Sequence, residues 1–436
     1  MHFDQDPLRL ARDLMRFIDA SPSPYHAVAE VERRLVSERF VRFDERDSWE
    51  LSEGTRGYVV RGATLLAFVM GSRPPAEAGF VILGAHTDSP NLRLKPRPEL
   101  ESAGYKQLAV EVYGSPILAT WLDRDLGLAG RVVLADGTSA LVRLNEPVMR
   151  IPNLAIHLNR DVNKEGLSLN AQQHLVPVLG LEAMKPSSVL ELVCHGLAAN
   201  GNTGVMPEDV LGFDLCLFDL AASTLGGSSG EFVFAPRLDN LGSCHAAYLG
   251  LIGSAGSERT RVVALYDHEE VGSQSEAGAR SRLLESVLDR LAQSWKDAGR
   301  DATARAFSRS YLVSCDMAHA VHPNYADKHD KLHRPLLGQG PVIKVNANQS
   351  YATDGPAAAR FVRACRQSEV VPQHFVSRND MPCGSTIGPI TAARLGINGV
   401  DVGNPMLSMH SCREMAGSGD IGPMVRVLGT LLESAG

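Results

Sequence analysis

Four consecutive ionisable residues directly follow a short apolar stretch in the second half of the chain. The stretch Val262-Val263-Ala264-Leu265-Tyr266 is rich in β-branched and apolar side chains, which predicts a buried parallel strand. Asp267-His268-Glu269-Glu270 follow it without a spacer. Because open α/β sheets bind ligands at the carboxyl ends of their strands, these side chains are candidates for metal binding or catalysis. Taken alone, the cluster could equally be a polar strand end.

Two other apolar stretches end in the same way. Phe80–Asp88 is an apolar run that ends in a His-x-Asp, and Tyr311–Cys315 runs into Asp316, with His319 and His322 just beyond. Adjacent carboxylates such as those of the first stretch also allow a division of labour. One can ligate a metal while its neighbour acts as a general base, because successive side chains leave an extended backbone in different directions.

Each candidate ligand also has an ordinary structural interpretation. His86 could make a structural hydrogen bond, although Asp88 is well spaced to accept from its second ring nitrogen. Asp239 could cap a helix and Asp316 could pair with a surface lysine, while His410 alone is uninformative. Together, two histidines, three or four carboxylates and no thiolate favour two divalent cations bridged by a carboxylate. Zinc is the first expectation, with manganese or cobalt as alternatives.

The wider pattern predicts an α/β protein. At 436 residues the chain exceeds what one hydrophobic core usually serves, so two domains are expected. Residues 1–91 and 237–436 alternate apolar strands with amphipathic helices, which predicts a catalytic domain with a central, mostly parallel sheet flanked by helices. Residues 92–236 contain short alternating stretches and a hairpin closed at Asp136-Gly137, which predicts an inserted β-rich domain. The Gly/Ser-rich stretch Leu225–Gly230 is the expected returning linker.

Composition narrows the class of partner. The formal net charge of −7 argues against nucleic acid or an anionic membrane as the main partner, and no apolar run is long enough for a membrane span. Arg9, Arg12 and Asp13 lie where an export signal would need an apolar core. The seven cysteines are scattered and include no Cys-x-x-Cys pair. A cytoplasmic protein without a thiolate zinc site is therefore expected.

Six segments resemble the signature segments of the aspartyl aminopeptidases, a family of zinc metallopeptidases, and the resemblance runs nearly end to end. The segments are Pro22–His26, Gly84–Pro90, Arg237–Asn240, Asp267–Ser273, Asp316–Tyr325 and Met409–Ser411. The resemblance implies a two-zinc exopeptidase of the α/β type, in which a β-rich dimerisation domain interrupts the catalytic domain. The implied ligands are His86 and Asp316 for one metal, Glu270 and His410 for the other, and Asp239 as the bridge.

The resemblance also implies catalytic roles. Glu269 would be the general base, which takes a proton from the attacking water and delivers it to the leaving amine, a step typically worth ~10²–10⁴-fold. Asp88 would orient His86. Ile151–Leu158 resembles a family stretch whose histidine enters a neighbouring active site, so His157 is expected to act in trans on the substrate carbonyl or its oxyanion. The alternative is a histidine buried in the core of the insert. The implied assembly is a tetrahedral dodecamer built from dimers.

The resemblance also implies a substrate specificity. Lys344 and His319 match family positions that contact the first side chain of the substrate, and Tyr351 matches a position near the reacting carbonyl. From the residues alone, Lys344 could instead extend to solvent. An ammonium in the pocket would select peptides with N-terminal Asp or Glu. The alternatives are an amidase or deacylase on the same two-metal site and, disfavoured because Glu269 is present, a binding protein without catalysis.

Overall fold

The computed structural model describes residues 7–296 and 298–434. Within these ranges the helices are α1 (Pro7–Asp19), α2 (Pro24–Ser37), α3 (Pro75–Ala78), α4 (Val162–Glu165), α5 (Ala171–His174), α6 (Val189–Ala199), α7 (Leu238–Gly253), α8 (Leu283–Gln293), α9 (Ala302–Ser308), α10 (Gly355–Gln367), α11 (Ile387–Leu395) and α12 (Ile421–Glu433). No described helix combines the length and the apolar character that crossing a membrane requires.

The strands of the same ranges form three sheets. They are β1 (Val41–Arg42), β2 (Arg56–Arg61), β3 (Thr64–Val69), β4 (Phe80–His86), β5 (Asn91–Ser102), β6 (Tyr105–Tyr113), β7 (Leu126–Leu134), β8 (Ser139–Met149), β9 (Val178–Leu181), β10 (Val210–Asp219), β11 (Thr224–Gly226), β12 (Phe232–Ala235), β13 (Thr260–Tyr266), β14 (Tyr311–Cys315), β15 (Ala318–His319), β16 (Val342–Val345), β17 (Gln373–Val376), β18 (Asn398–Gly403), β19 (Pro405–Leu407) and β20 (Glu414–Gly417).

The largest sheet has nine strands in the order β1-β2-β3-β13-β4-β14-β18-β16-β17. The predicted α/β class is confirmed, and the sheet is mixed. Its centre, β13-β4-β14-β18, is parallel, whereas β3 runs antiparallel to β13 and β16 runs antiparallel to β18. All seven residues of β4 are buried, as expected of a strand covered on both faces.

Helices cover both faces of this sheet. Val81 and Leu83 of β4 belong to a core shared with α1, α7 and α12, whereas Ile82 belongs to a second core shared with α8 and α11. The alternation follows from the strand geometry, in which successive side chains point to opposite faces. The parallel centre of the sheet is thus packed against helices on both faces.

A six-stranded sheet, β8-β7-β10-β5-β6-β9, is built from residues 91–219 and has its own apolar core with α6. The hairpin predicted around Gly137 is present as β7 and β8. β11, which includes Leu225 and Gly226 of the predicted linker, pairs with β12, and β12 pairs with β20. Residues 224–235 therefore bond with the C-terminal part of the chain through a third sheet, β11-β12-β20-β19-β15. The division into domains at 91 and 236 stays a prediction.

Candidate metal centre

Three neighbouring strands bring side chains to one edge of the nine-stranded sheet. Tyr266, at the end of β13, lies in register with His86 at the end of β4. Asp316 directly follows β14, which is parallel to β4. The three strand ends singled out in the sequence therefore lie side by side, because parallel neighbours end at the same edge.

His86, Asp239 and Asp316 form a first group of possible ligands. His86 Nε2 lies 3.5 Å from Asp239 Oδ1 and 4.0 Å from Asp316 Oδ1. All three residues are buried, and their ligand atoms lie within 4.8 Å of one another. Asp239 does not serve as the cap of α7. Its backbone angles are non-helical, and its carboxylate faces the two histidines of the site.

A second group shares Asp239. His410 Nε2 lies 3.3 Å from Asp239 Oδ2 and 3.4 Å from Glu270 Oε1. The two oxygens of Asp239 thus face two different imidazole rings. The groups His86–Asp239–Asp316 and Asp239–Glu270–His410 are the sets that the resemblance implied for the two metals.

These residues fit divalent cations. Asp239 Oδ1 and Glu270 Oε1 are buried and have no hydrogen-bond partner. Burying a carboxylate oxygen without a partner is costly, and a cation would satisfy both oxygens. Imidazole nitrogens and carboxylate oxygens are ligands that zinc accepts, and related divalent metals accept them too.

Glu269 begins a 3-10 turn, Glu269–Val271, inside the charged stretch that follows β13. Its carboxylate joins His86 and Glu270 in a third group within 4.8 Å. Burial raises the pKa of Glu269 to about 7; the neighbouring carboxylates Asp316, Asp88 and Asp239 add to the rise and His86 opposes it. A carboxyl with a pKa near neutrality can both accept and release a proton during a reaction.

Asp88 holds this turn as well as contacting His86. Its carboxylate accepts hydrogen bonds from the main-chain amides of Glu269 and Glu270, both at 3.1 Å, and from the Tyr113 hydroxyl at 2.7 Å. His86 Nδ1 lies 3.0 Å from the carbonyl oxygen of Asp88 and 3.5 Å from its carboxylate. The nearer acceptor for His86 is therefore the Asp88 backbone. Tyr113 was not anticipated, because it ends a strand of the inserted segment.

The loop after β6 brings that segment into the site. Gly114 has φ +69°, and a Cβ there would come within 3.1 Å of the Glu270 Cβ. The Ser115 carbonyl oxygen lies 3.0 Å from His410 Nδ1, which orients the ring so that Nε2 faces Asp239. Nothing in the local sequence of this loop marks it as part of a metal centre.

The centre opens into a cavity of about 470 Å³. Lys344, His319 and Tyr351 line it, as does Arg280, which sequence reasoning did not select. Lys344 is buried and does not extend to solvent. Its ammonium lies 3.5 Å from Asp316 Oδ2, donates to the Met317 carbonyl at 3.2 Å and lies 5.1 Å from the Tyr351 ring centre.

His157 lies outside the cavity that the other predicted site residues line or border. It is exposed in a short turn, Ile156–Leu158, so the alternative of a histidine packed in the core of the insert is wrong. It is not among the described residues that line the cavity of its own chain. The role of His157 in a neighbouring active site stays a prediction.

Comparison with known proteins agrees with this geometry. Residues 17–431 match the family described as Aminopeptidase I zinc metalloprotease (M18). The chain belongs to the M18 family. It is 47% identical over 430 residues to a probable M18 family aminopeptidase 2 of Pseudomonas aeruginosa, with 98% of each chain covered. A probable M18 family aminopeptidase 2 of Streptomyces avermitilis is 46% identical, with 95% of this chain and 96% of the relative covered.

Solved structures give the same answer for this M18 family member. A chain of the cryo-EM structure of the Ape4 and Nbr1 complex superposes with a TM-score of 0.93 at 40% identity, covering 97% of this chain and 85% of that one. The S. cerevisiae mApe1 dodecamer superposes with a TM-score of 0.84 at 30% identity, with 98% and 97% covered. The protein is therefore an aminopeptidase, a hydrolase of peptide bonds, and the predicted family is confirmed.

Proposed function

We propose that this M18 aminopeptidase is a two-zinc enzyme that releases N-terminal Asp and Glu from peptides, with Glu269 as its general base. The observation that carries the proposal is the pair of ligand groups sharing Asp239, with Glu269 in contact range of both. A single-metal enzyme would need only one such group. Here the Asp239 carboxylate belongs to two groups, each of which contains one further carboxylate and one imidazole.

His86 and Asp316 would hold one zinc, Glu270 and His410 the other, and Asp239 would contribute to both. A pair of divalent cations supplies Lewis acidity, which lowers the pKa of water and polarises a carbonyl oxygen. The buried main-chain contacts of Asp88 keep Glu270 and Glu269 in fixed positions relative to each other. Preorganisation of this kind avoids reorganisation cost during the reaction.

Glu269 would move the proton. It accepts one from the water that attacks the first peptide carbonyl, and it returns that proton to the leaving nitrogen as the carbon–nitrogen bond breaks. The products are a free amino acid and a peptide shortened by one residue. The pKa of Glu269, raised by burial to about 7, matches a group that must be a base in one step and an acid in the next.

Lys344 supports the acidic preference. Its buried ammonium lines the same cavity as the ligands and is fixed by Asp316, Met317 and the ring of Tyr351. A carboxylate of the substrate placed beside a fixed cation in a partly desolvated cavity is stabilised far more than a neutral side chain of similar size. His319 is exposed on the same wall and offers a second polar contact.

His157 would complete the site from a neighbouring subunit. Leu154, Ile156 and Leu158 surround it and are 59%, 45% and 75% exposed. Apolar side chains exposed on both sides of a histidine suit a segment that docks against another copy. We therefore propose dimerisation through the inserted six-stranded segment and, by likeness to the mApe1 dodecamer, a dodecamer of such dimers.

The test is release of free amino acids from peptides that differ only in their first residue. After chelation and dialysis the enzyme is assayed with and without two equivalents of zinc, on peptides beginning with Asp, Glu, Ala or Leu. Activity should return with zinc, and kcat/KM should be highest for Asp and Glu. An N-acetylated Asp peptide should not be cleaved. Equal cleavage of Leu and Asp peptides would disprove the acidic preference, and hydrolysis of the acetylated peptide would indicate an amidase or deacylase.

A further inference from the structure

Glu414 is a buried carboxylate that the proposed chemistry does not use. Glu414 is the first residue of β20 and pairs with Ala235 of β12. Ala235 lies three residues before Leu238, where α7 begins. Only 3% of the Glu414 surface is exposed. Glu414 therefore lies beside the segment that joins β12 to α7, the helix that contains Asp239.

Both oxygens of Glu414 accept hydrogen bonds from main-chain amides of candidate metal ligands. The amide of His410 donates to Oε1 at 2.7 Å, and the amide of Asp239 donates to Oε2 at 3.1 Å. These two ligands are 171 positions apart in the chain, and one side chain joins their backbones. The His410 peptide is also held from its other side, because its carbonyl accepts from the Ile117 amide at 2.9 Å.

We infer that Glu414 is the positioning residue of the second metal site, where it fixes His410 against Asp239. This inference rests on the proposed two-zinc function. Asp88 makes the same kind of contact elsewhere in the site, because its carboxylate accepts hydrogen bonds from the main-chain amides of Glu269 and Glu270. Two buried carboxylates thus fix four site residues through their backbones, and only the Glu414 contact reaches both His410 and the shared Asp239.

The chemistry explains why the residue is a carboxylate. Two N–H donors require two acceptors, and a carboxylate supplies them, whereas an amide side chain supplies one acceptor and turns an NH₂ donor toward the other N–H. A buried donor left without a partner costs about 1–3 kcal/mol. Glu414→Gln should therefore loosen one of the two ligands without changing the size of the side chain.

Asp420 offers a matched control. It is also buried, 1% exposed, and it also accepts two main-chain amides, from Gly338 at 2.7 Å and Gly340 at 2.9 Å. None of these contacts involves a candidate ligand. Asp420→Asn therefore removes one of two comparable acceptors in the same C-terminal segment, as Glu414→Gln does.

The experiment is zinc titration of the metal-free full-length proteins by calorimetry, with the thermal midpoint of each metal-free protein measured alongside. In Glu414→Gln one zinc site should lose ~10- to 100-fold in affinity relative to wild type, while the other changes less than about threefold. Asp420→Asn should lower the midpoint but leave both affinities unchanged. Activity of Glu414→Gln should recover as excess zinc fills the weakened site.

Wild-type affinity at both sites in Glu414→Gln, or equal weakening of both sites, would overturn the inference. A wild-type protein that binds only one zinc would instead disprove the two-metal proposal. If Glu414→Gln is recovered unfolded, Glu414→Asp takes its place under the same criteria, since it keeps the charge but is one methylene group too short to reach both amides.

Discussion

At the residue scale, adjacent carboxylates in one turn have different neighbours. Glu270 Oε1 lies 3.4 Å from His410 Nε2 and has no hydrogen-bond partner, as expected of an atom that binds a metal. Glu269 lies within reach of His86 but is absent from the group that contains His410. This difference supports the proposed division into ligand and base, which the sequence suggested from the adjacency of the two residues and from the family resemblance.

Glu269→Gln tests that division. The substitution keeps size and polarity but removes the basic oxygen, so kcat should fall ~10²–10⁴-fold while both zinc ions remain bound. Stopped-flow or discontinuous assays of an Asp peptide and metal analysis by mass spectrometry give the two readouts. Glu276→Gln, an exposed position in the following loop, is the control and should behave as wild type. Activity of Glu269→Gln within about tenfold of wild type would exclude the role of base.

Lys344→Met separates two roles that the geometry allows for one ammonium. If Lys344 meets the substrate carboxylate, the variant should lose several kcal/mol of preference for Asp over Ala, measured as a ratio of kcat/KM values. If it only neutralises Asp316, from which it lies 3.5 Å, kcat/KM should fall equally for both peptides. The expected result is selective loss on Asp and Glu peptides. A variant that keeps its acidic preference would show that the pocket has been misplaced.

At the element scale, β4, β13 and β14 could be predicted because each is a short apolar run that ends abruptly in charge. Burial on both faces leaves that pattern in the local sequence. The amphipathic helices expected between such strands could also be predicted, because a helix that buries one face leaves a period near 3.6 residues, as α8 does with buried Leu284, Val287 and Leu291. The strand ends that carry candidate ligands could therefore be singled out in the sequence, whereas the division of those ligands into two metal sets came from the family resemblance.

The contacts of Tyr113, Ser115 and Glu414 could not be predicted. Each depends on which distant segments pack together, and a single tyrosine or glutamate carries no local sign of its partner. The antiparallel neighbours of β13 and β18 were also missed, since period and composition do not report strand direction. The sheet pairing of Leu225 and Gly226 was missed for a similar reason, because glycine and serine are typical of linkers.

Asp13 joins three helices, and its removal should destabilise the catalytic region. Its carboxylate lies 2.8 Å from His245 Nε2 on α7 and 2.8 Å from Arg34 Nη1 on α2. Asp13→Asn leaves His245 and Arg34 with a weaker partner. Because the Asp13 side chain is a quarter exposed, the free energy of unfolding should fall by about 2 kcal/mol, less than the ~3–5 kcal/mol expected when a fully buried pair is broken. Urea unfolding of the metal-free protein measures it. Asp44→Asn, which removes an exposed pair with Arg46, should lower the free energy of unfolding much less, because solvent screens an exposed pair.

The difference in unfolding free energy between wild type and Asp13→Asn should depend on pH in a definite direction. Burial alone would raise the pKa of Asp13, but the hydrogen bonds and charges of His245 and Arg34 hold it well below its ordinary value of 3.8. A carboxyl with a lowered pKa stabilises the fold fully above its unfolded value and loses that contribution as the pH falls. The gap between wild type and Asp13→Asn should therefore be constant near neutrality and shrink below pH 3.8. A gap that widens in acid would contradict the assignment.

At the scale of the whole molecule, the inserted segment has two relations to the active site. Within one chain, Tyr113 and Ser115 contact Asp88 and His410, so the segment stabilises the metal centre directly. Its exposed turn at His157 points to a second relation, between chains. A monomer would then hold a formed metal centre and an incomplete catalytic site, and activity would depend on protein concentration.

Mixed oligomers distinguish action within a chain from action between chains. His157→Ala and Glu269→Gln subunits are co-expressed with different tags, and hybrids carrying both tags are purified. If His157 acts in trans, the site of a His157→Ala subunit keeps its own Glu269 and receives His157 from its neighbour. Random pairing at equal ratio should then restore about a quarter of wild-type activity in the unselected mixture, because about half the dimers are mixed and each mixed dimer has one complete site of two. A selected mixed dimer should therefore show about half of wild-type activity. Two controls complete the design. Pairing His195→Ala, an exposed histidine of the same segment, with Glu269→Gln should give only the activity of the intact Glu269 sites, and His195→Ala alone should match wild type. Absence of recovery at every ratio in the His157→Ala hybrids would show that His157 has no role in the neighbouring site.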